Sequence, residues 1–174
     1  SRVQFLDKDN KPLKNAKINV KLTNHEFLFG YGAFDFLSYV QADSFDPEKI
    51  PEKIRKLEGI DANFNAKDFF GNRVNKWLEI FNYGTLPFYW GRYEPEEGYP
   101  QYQQLKDASE ILKANNITMK GHPLCWHTVC ADWLLKYSDE VIMDKQLERI
   151  NREVTAFKGT IDIWDVINEV VIMP

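Results

Sequence analysis

The apolar positions of this chain change period along its length, and the changes mark its elements. Between residues 2 and 22 they alternate: Val3 and Phe5, a turn at Asp7-Lys8-Asp9-Asn10, then Ala16, Ile18, Val20 and Leu22. A period of two with polar partners predicts a small β-ribbon over residues 1–23, appended to the main core. Glu26 to Phe34 (EFLFGYGAF) is apolar almost without a break. It reads as a strand in which Gly30 and Gly32 permit close backbone approach. The charged segment 46–58 (DPEKIPEKIRKLE) reads as a solvated surface helix or loop.

From residue 68 helical and extended patterns take turns. Phe70, Val74, Trp77, Leu78 and Phe81 recur at helical spacing, and Phe81 overlaps the entry to an apolar strand ending at Phe88. Leu105, Ala108, Ile111 and Leu112 form the stripe of an amphipathic helix that Asn115-Asn116 ends, and Ile117 to His122 is the next strand. Leu147, Ile150, Val154 and Phe157 predict a further helix, stopped at Gly159 by a residue free to take a positive φ. Ile161, Ile163, Val166 and Ile167 then make a β-branched run, the signature of a strand covered on both faces. Strands starting near residues 27, 82, 117 and 161, separated by helices, predict an α/β chain with a parallel sheet. No repeat, low-complexity tract or Gly/Ser linker divides it.

Composition narrows the classes. With 174 residues, 44% of them hydrophobic, the chain can bury one ordinary core. Its 14% aromatic content also suits a cleft that stacks on flat apolar faces such as sugar rings. A net charge of −4 without a basic patch argues against nucleic acid. No run of about 18 apolar residues exists, so no helical membrane span is expected. Ser1 to Phe5 carry neither a signal-peptide pattern nor an initiating Met, and the sequence reads as a piece of something longer. Cys125 and Cys130 are too few for a disulfide framework. His122-x-x-Cys125-x-His127 lacks the further ligands of a zinc site, so no metal and no cofactor is expected. Both cysteines read as small buried hydrophobes.

The polar residues that interrupt the strand ends carry the chemistry. The third strand ends at His122, with Trp126 and His127 in the following loop, and the fourth ends at Asn168-Glu169. The second runs into Tyr89, Trp90, Arg92 and Glu94. A single Glu after an apolar run usually marks a strand's exit into water. In a parallel α/β sheet, however, the strand ends lie side by side, so these groups converge on one rim. No Gly-rich phosphate loop, nucleophile elbow or strand-end Lys competes with them.

Gly121-His122-Pro123-Leu124-Cys125-Trp126-His127 resembles the G-H-x-L-x-W-H signature of family 10 glycoside hydrolases, the retaining endo-β-1,4-xylanases. Trp164-Asp165-Val166-Ile167-Asn168-Glu169 resembles that family's W-D-V-x-N-E. Phe81-Asn82, Trp90 with Glu94-Pro95 and Gly98, and His25-x-Phe27-x-Phe29-Gly30 are similar to flanking parts of its pattern. The resemblance implies a (β/α)8 TIM-type barrel, of which residues 24–174 supply about the first four βα units. It implies that Glu169 is the general acid/base and that Asn168 bonds the 2-hydroxyl of the sugar being cleaved. His122 and Trp126 would hold the same sugar, and His127 would help order the site near Glu169. The partners implied are xylan or xylo-oligosaccharide and the C-terminal half of the barrel, in cis or as a second chain. That half would bring the nucleophile, and the setting would be secreted or extracytoplasmic.

Family members carry T-x-E-N-x-M-K-W after the second strand, whose Glu, Asn and Lys grip the next sugar. Thr85-Leu86-Pro87-Phe88-Tyr89-Trp90 has none of the three. Tyr89 and Trp90 are therefore expected to replace part of that grip as an aromatic wall, with Arg92 nearby. Two alternatives stay open from the residues: another retaining β-glycanase such as a glucanase, and a non-catalytic glycan-binding barrel half.

Overall fold

The computed structural model describes residues 3–23, 26–61 and 63–171. Among them one parallel sheet forms in the sequential order β1 (Gly30–Gly32), β2 (Tyr83–Pro87), β3 (Thr118–His122) and β4 (Ile163–Trp164). The helices are α1 (Phe34–Val40), α2 (Glu52–Glu58), α3 (Ala66–Ile80), α4 (Trp90–Tyr93), α5 (Tyr102–Ala114) and α6 (Asp139–Ala156). Register runs in step: Gly84 pairs with Tyr31 on one side and Met119 on the other, and Gly121 pairs with Trp164.

Strand alternation decides which face the helices cover. Gly84, Leu86, Met119 and Gly121 are buried, whereas Tyr83, Thr85, Lys120 and His122, on the opposite face, stay partly open. The buried set packs with Phe36 of α1, Val74 and Trp77 of α3, and Leu105, Ala108 and Leu112 of α5. Phe157, just past α6, closes the core edge-on against Phe88, with ring centroids 5.2 Å apart. A sheet wound in sequential order with its helices on one face is a barrel wall; a doubly wound sheet would reverse its order and be covered on both sides. Gly30 does serve a close approach, since a Cβ there would meet the Tyr83 carbonyl. Gly159 takes the positive φ (74°) expected of a helix stop.

Four expectations need correction. The Glu26–Phe34 run forms a strand only at Gly30–Gly32, and Phe34 already opens α1, whose weak pattern gave no signal. Phe27 and Tyr31 are 75% and 70% exposed, because Tyr31 lies on the edge strand β1 and Phe27 just before it. The fourth strand is likewise uncovered: Ile163, Val166 and Ile167 are 41%, 49% and 59% exposed on the other edge. The N-terminal ribbon reduces to one antiparallel bridge between Leu6 and Pro12 around the Asp7 turn, with no strand over Ala16–Leu22. Cys130 is exposed and Cys125 half-buried, so neither is a core residue. His25 lies outside the described residues.

Candidate active site

The site is built where the β3–β4 ladder outlasts the β2–β3 ladder. Asp165 N–H donates to the Gly121 carbonyl (3.0 Å), Leu124 and Cys125 N–H donate to Asp165 and Val166 carbonyls (both 2.9 Å), and Asn168 N–H returns to Cys125 (2.9 Å). The loop after β3 and the chain after β4 thus travel together. That pairing brings two sequence segments some 40 residues apart into one rim, carrying His122, Trp126, Asn168 and Glu169.

Trp126 donates its indole N–H to Oε2 of Glu169 at 2.9 Å. Glu169 is exposed and holds φ at 53°, a left-handed conformation uncommon for a residue with this side chain. The Asn168 amide has no side-chain partner among the described residues and stays open to a ligand. Tyr89 stands over the same ground, 5.6 Å from the ring of His122 and 5.6 Å from that of Trp126, with Arg92 5.7 Å from its own ring centroid. Tyr89, His122, Trp126 and Glu169 are therefore brought together, with Asn168 next to Glu169 in the chain.

Beneath them lies a polar pair that sequence reasoning did not single out. Oδ2 of Asp165 accepts from His122 Nδ1 at 2.7 Å and from Lys120 Nζ at 2.8 Å. A carboxylate only accepts, so Nδ1 carries the proton and Nε2 is the nitrogen left to meet a ligand hydroxyl. Burial works against the charge of Asp165, but the hydrogen bonds from Lys120 and His122 outweigh it and hold the carboxyl below its ordinary range. Burial raises the Tyr83 phenol, with the Lys120 charge opposing. Strand alternation could have found Lys120, since it sits two residues before His122 on the same face.

One expected site residue, Trp90, is elsewhere, and His127 does not bond Glu169. Trp90 is only 6% exposed and turned away from the rim, edge-on to Trp133 at 5.5 Å, with its N–H on Glu94 Oε2 at 3.0 Å. The turn into α4 rotates successive side chains by about 100°, so Tyr89 and its neighbour cannot share one wall. His127 is exposed in the 3-10 turn His127–Val129 and makes no hydrogen bond to Glu169; Trp126 does that instead. Glu94 is also withdrawn: Arg152, Gly98 N–H and Trp90 enclose it. Burial opposes its charge, yet those bonds keep its carboxyl below the ordinary range.

These strand ends place a carboxylate, an amide, an imidazole, an indole and a phenol together: groups that suit hydroxyls and C–H faces. The glycosyl hydrolase family 10 model matches residues 87–173 of the chain. An endo-1,4-beta-xylanase/feruloyl esterase of Xylanibacter ruminicola is 31% identical over 120 residues, covering 64% of this chain and 16% of that protein. Anti-sigma-I factor RsgI6 of Acetivibrio thermocellus is 25% identical over 174 residues, covering 98% of this chain and 19% of its own length. Xylanase 10B of Thermotoga petrophila, solved with xylobiose, superposes with a TM-score of 0.50 at 21% identity, over 62% of this chain and 32% of its own. The chain thus spans a third or less of these proteins, and its sheet is part of a (β/α)8 barrel. By its motifs, its fold and the family match over half its length, the chain belongs to glycosyl hydrolase family 10.

Proposed function

We propose that this chain carries the acid/base half of a retaining endo-1,4-β-xylanase-like site acting on plant cell-wall xylan outside the cell. The observation that carries the reading is the joint placement of Glu169, Trp126, Tyr89 and His122 at the ends of three adjacent parallel strands. In this reading Glu169 protonates the leaving glycosidic oxygen and later takes a proton from water. Asn168 bonds the sugar 2-hydroxyl, and His122, oriented by Asp165, accepts from a neighbouring hydroxyl through Nε2. Trp126 faces the same sugar ring, and Tyr89 the next one along. A retaining mechanism needs a second carboxylate about 5 Å from the first. That nucleophile comes from outside these residues, supplied by the rest of the barrel in cis or by a second chain.

The test uses the intact protein that carries this chain. Glu169→Ala is expected to slow xylan hydrolysis by about 100-fold or more, yet leave the first-step release of an acidic phenol from an aryl xylobioside nearly intact. Equal losses on both substrates would remove Glu169 from the acid role. Glycan binding without turnover is the alternative that this test must exclude. Xylan binding with no product from the intact protein would select it. Sugar release from xylan against mixed-linkage glucan separates a xylanase from a glucanase.

A further inference from the structure

Among the described residues Arg149 is the one buried cation, 1% exposed in the middle of α6. Its two terminal nitrogens donate to the backbone carbonyls of Phe88 and Leu124. Those carbonyls mark the place where two strands part. The last rung between β2 and β3 is Phe88 N–H to the His122 carbonyl; beyond it Tyr89 turns into α4, while Leu124 pairs with the chain after β4. The planar fork of a guanidinium matches two carbonyls that a ladder no longer joins. Phe88 directly precedes Tyr89, and Leu124 stands two residues before Trp126.

Aromatic rings and ion pairs flank the fork, while its buried Nε has no hydrogen-bond partner among the described residues. The guanidinium carbon lies 4.9 Å from the Trp90 ring and 6.0 Å from the Tyr93 ring. Tyr93 donates to Glu153 at 2.6 Å, Arg152 joins Glu153 (2.7 Å) to Glu94 (2.6 Å), and Glu94 accepts from Trp90. Two arginines and two glutamates make this cluster neutral. Gln146 adds a second donor to the Leu124 carbonyl at 3.0 Å. Burial pushes the guanidinium down to about 10, which still leaves it charged at neutral pH.

We propose that Arg149 is a positioning residue that sets the width of the glycan cleft, by fixing the strand-end carbonyls from which Tyr89 and Trp126 project. It touches no substrate and acts through those two residues. The inference deepens the function proposed above and rests on it for the kinetic part of its test alone. Cleft walls held by backbone need this precision, since a displacement of about 1 Å at a positioning group can lower a rate by about 100-fold.

The experiment compares Arg149→Met and Arg149→Lys in the intact protein. Trp126 is followed as 5-fluorotryptophan by fluorine NMR and assigned through its loss in Trp126→Phe. Arg149→Met is expected to shift or broaden the Trp126 resonance and lower kcat/KM on xylo-oligosaccharides by about 10- to 100-fold per folded molecule. Arg149→Lys, with donors but no fork, should recover part of both. If Arg149→Met does not fold, Gln146→Leu, which removes the second donor to Leu124, should move the same resonance less far. An unmoved Trp126 resonance, or full activity per folded molecule, would overturn the proposal. A parent protein that turns over no glycan would overturn the enzymatic reading while the resonance still decides the clamp.

Discussion

Trp126 and Glu169, 43 residues apart in sequence, are joined by a 2.9 Å hydrogen bond from indole N–H to carboxylate. An aromatic platform and an acid are thereby one unit: a sugar that stacks on the first meets the second at a fixed place. Trp126→Phe keeps the stacking face and removes the tether. In the intact protein it should lower kcat/KM on xylan about tenfold, the size of one charge-assisted bond, with fold and melting temperature retained. Loss of folding, or unchanged kinetics, would mean the bond does not orient the acid.

Tyr89 stands alone where an aromatic pair was expected, since Trp90 is buried. Tyr89→Ala should raise KM for long xylo-oligosaccharides roughly 2- to 10-fold, the range of one aromatic contact, and change short aryl xylosides less. A uniform effect across chain lengths would place Tyr89 at the cleaved sugar.

Among the described residues Glu169 is the one carboxylate at the rim not tied to a charged partner, Asp165 being bonded to His122 and Lys120, and retention needs two free to act. The purified chain alone should release no phenol from an activated aryl xylobioside, and activity should appear when the rest of the barrel is added. Glu169→Ala in the same chain controls for contaminating enzyme. Turnover by the lone chain that disappears in this control would require a nucleophile among its own residues.

Acid should loosen the α4–α6 side of the site. Glu94 titrates below its ordinary 4.5 in the folded chain, with burial opposing and Arg152, Gly98 and Trp90 lowering it. Glu97, held by Lys136 and Lys145, titrates at about 2. A carboxylate depressed by folding stabilises above its unfolded value, and that contribution fades as pH falls through the folded value. The melting temperature should therefore be flat above about pH 5 and fall as pH drops from 4.5 toward 2. Glu94→Gln should cost about 2 kcal/mol at neutral pH, discounted because Arg152 is partly exposed, and should flatten the acid slope. An unchanged slope would show that other carboxylates carry it.

Hydrophobic spacing located α5 and its buried face together, because Leu105, Ala108 and Leu112 pack into the apolar core. In α6 the same reasoning found the helix and missed its inner face. Leu147 is 57% exposed and Val154 38%, whereas Arg149 and Glu153 are buried. A charged pair four apart reads as a solvated stripe until its distant partners, Tyr93 and the two carbonyls, are known. Motif spacing was enough for His122, Trp126 and Glu169, since a parallel sheet brings its strand ends to one rim whatever the loops do. Side-chain direction where a strand turns into a helix has no such rule, and that is why Trp90 was misplaced.

The backbone at Glu169 has a bearing on drift. At φ 53° the left-handed conformation is easier for Asn or Gly than for Glu, by a cost of order 1 kcal/mol or more. Selection for a sturdier chain alone would carry this position away from a carboxylate, and mutational scans scored on abundance should favour Asn or Gly there. Only selection on what the carboxylate does keeps Glu in place, the usual conflict between stability and activity at a strained functional residue.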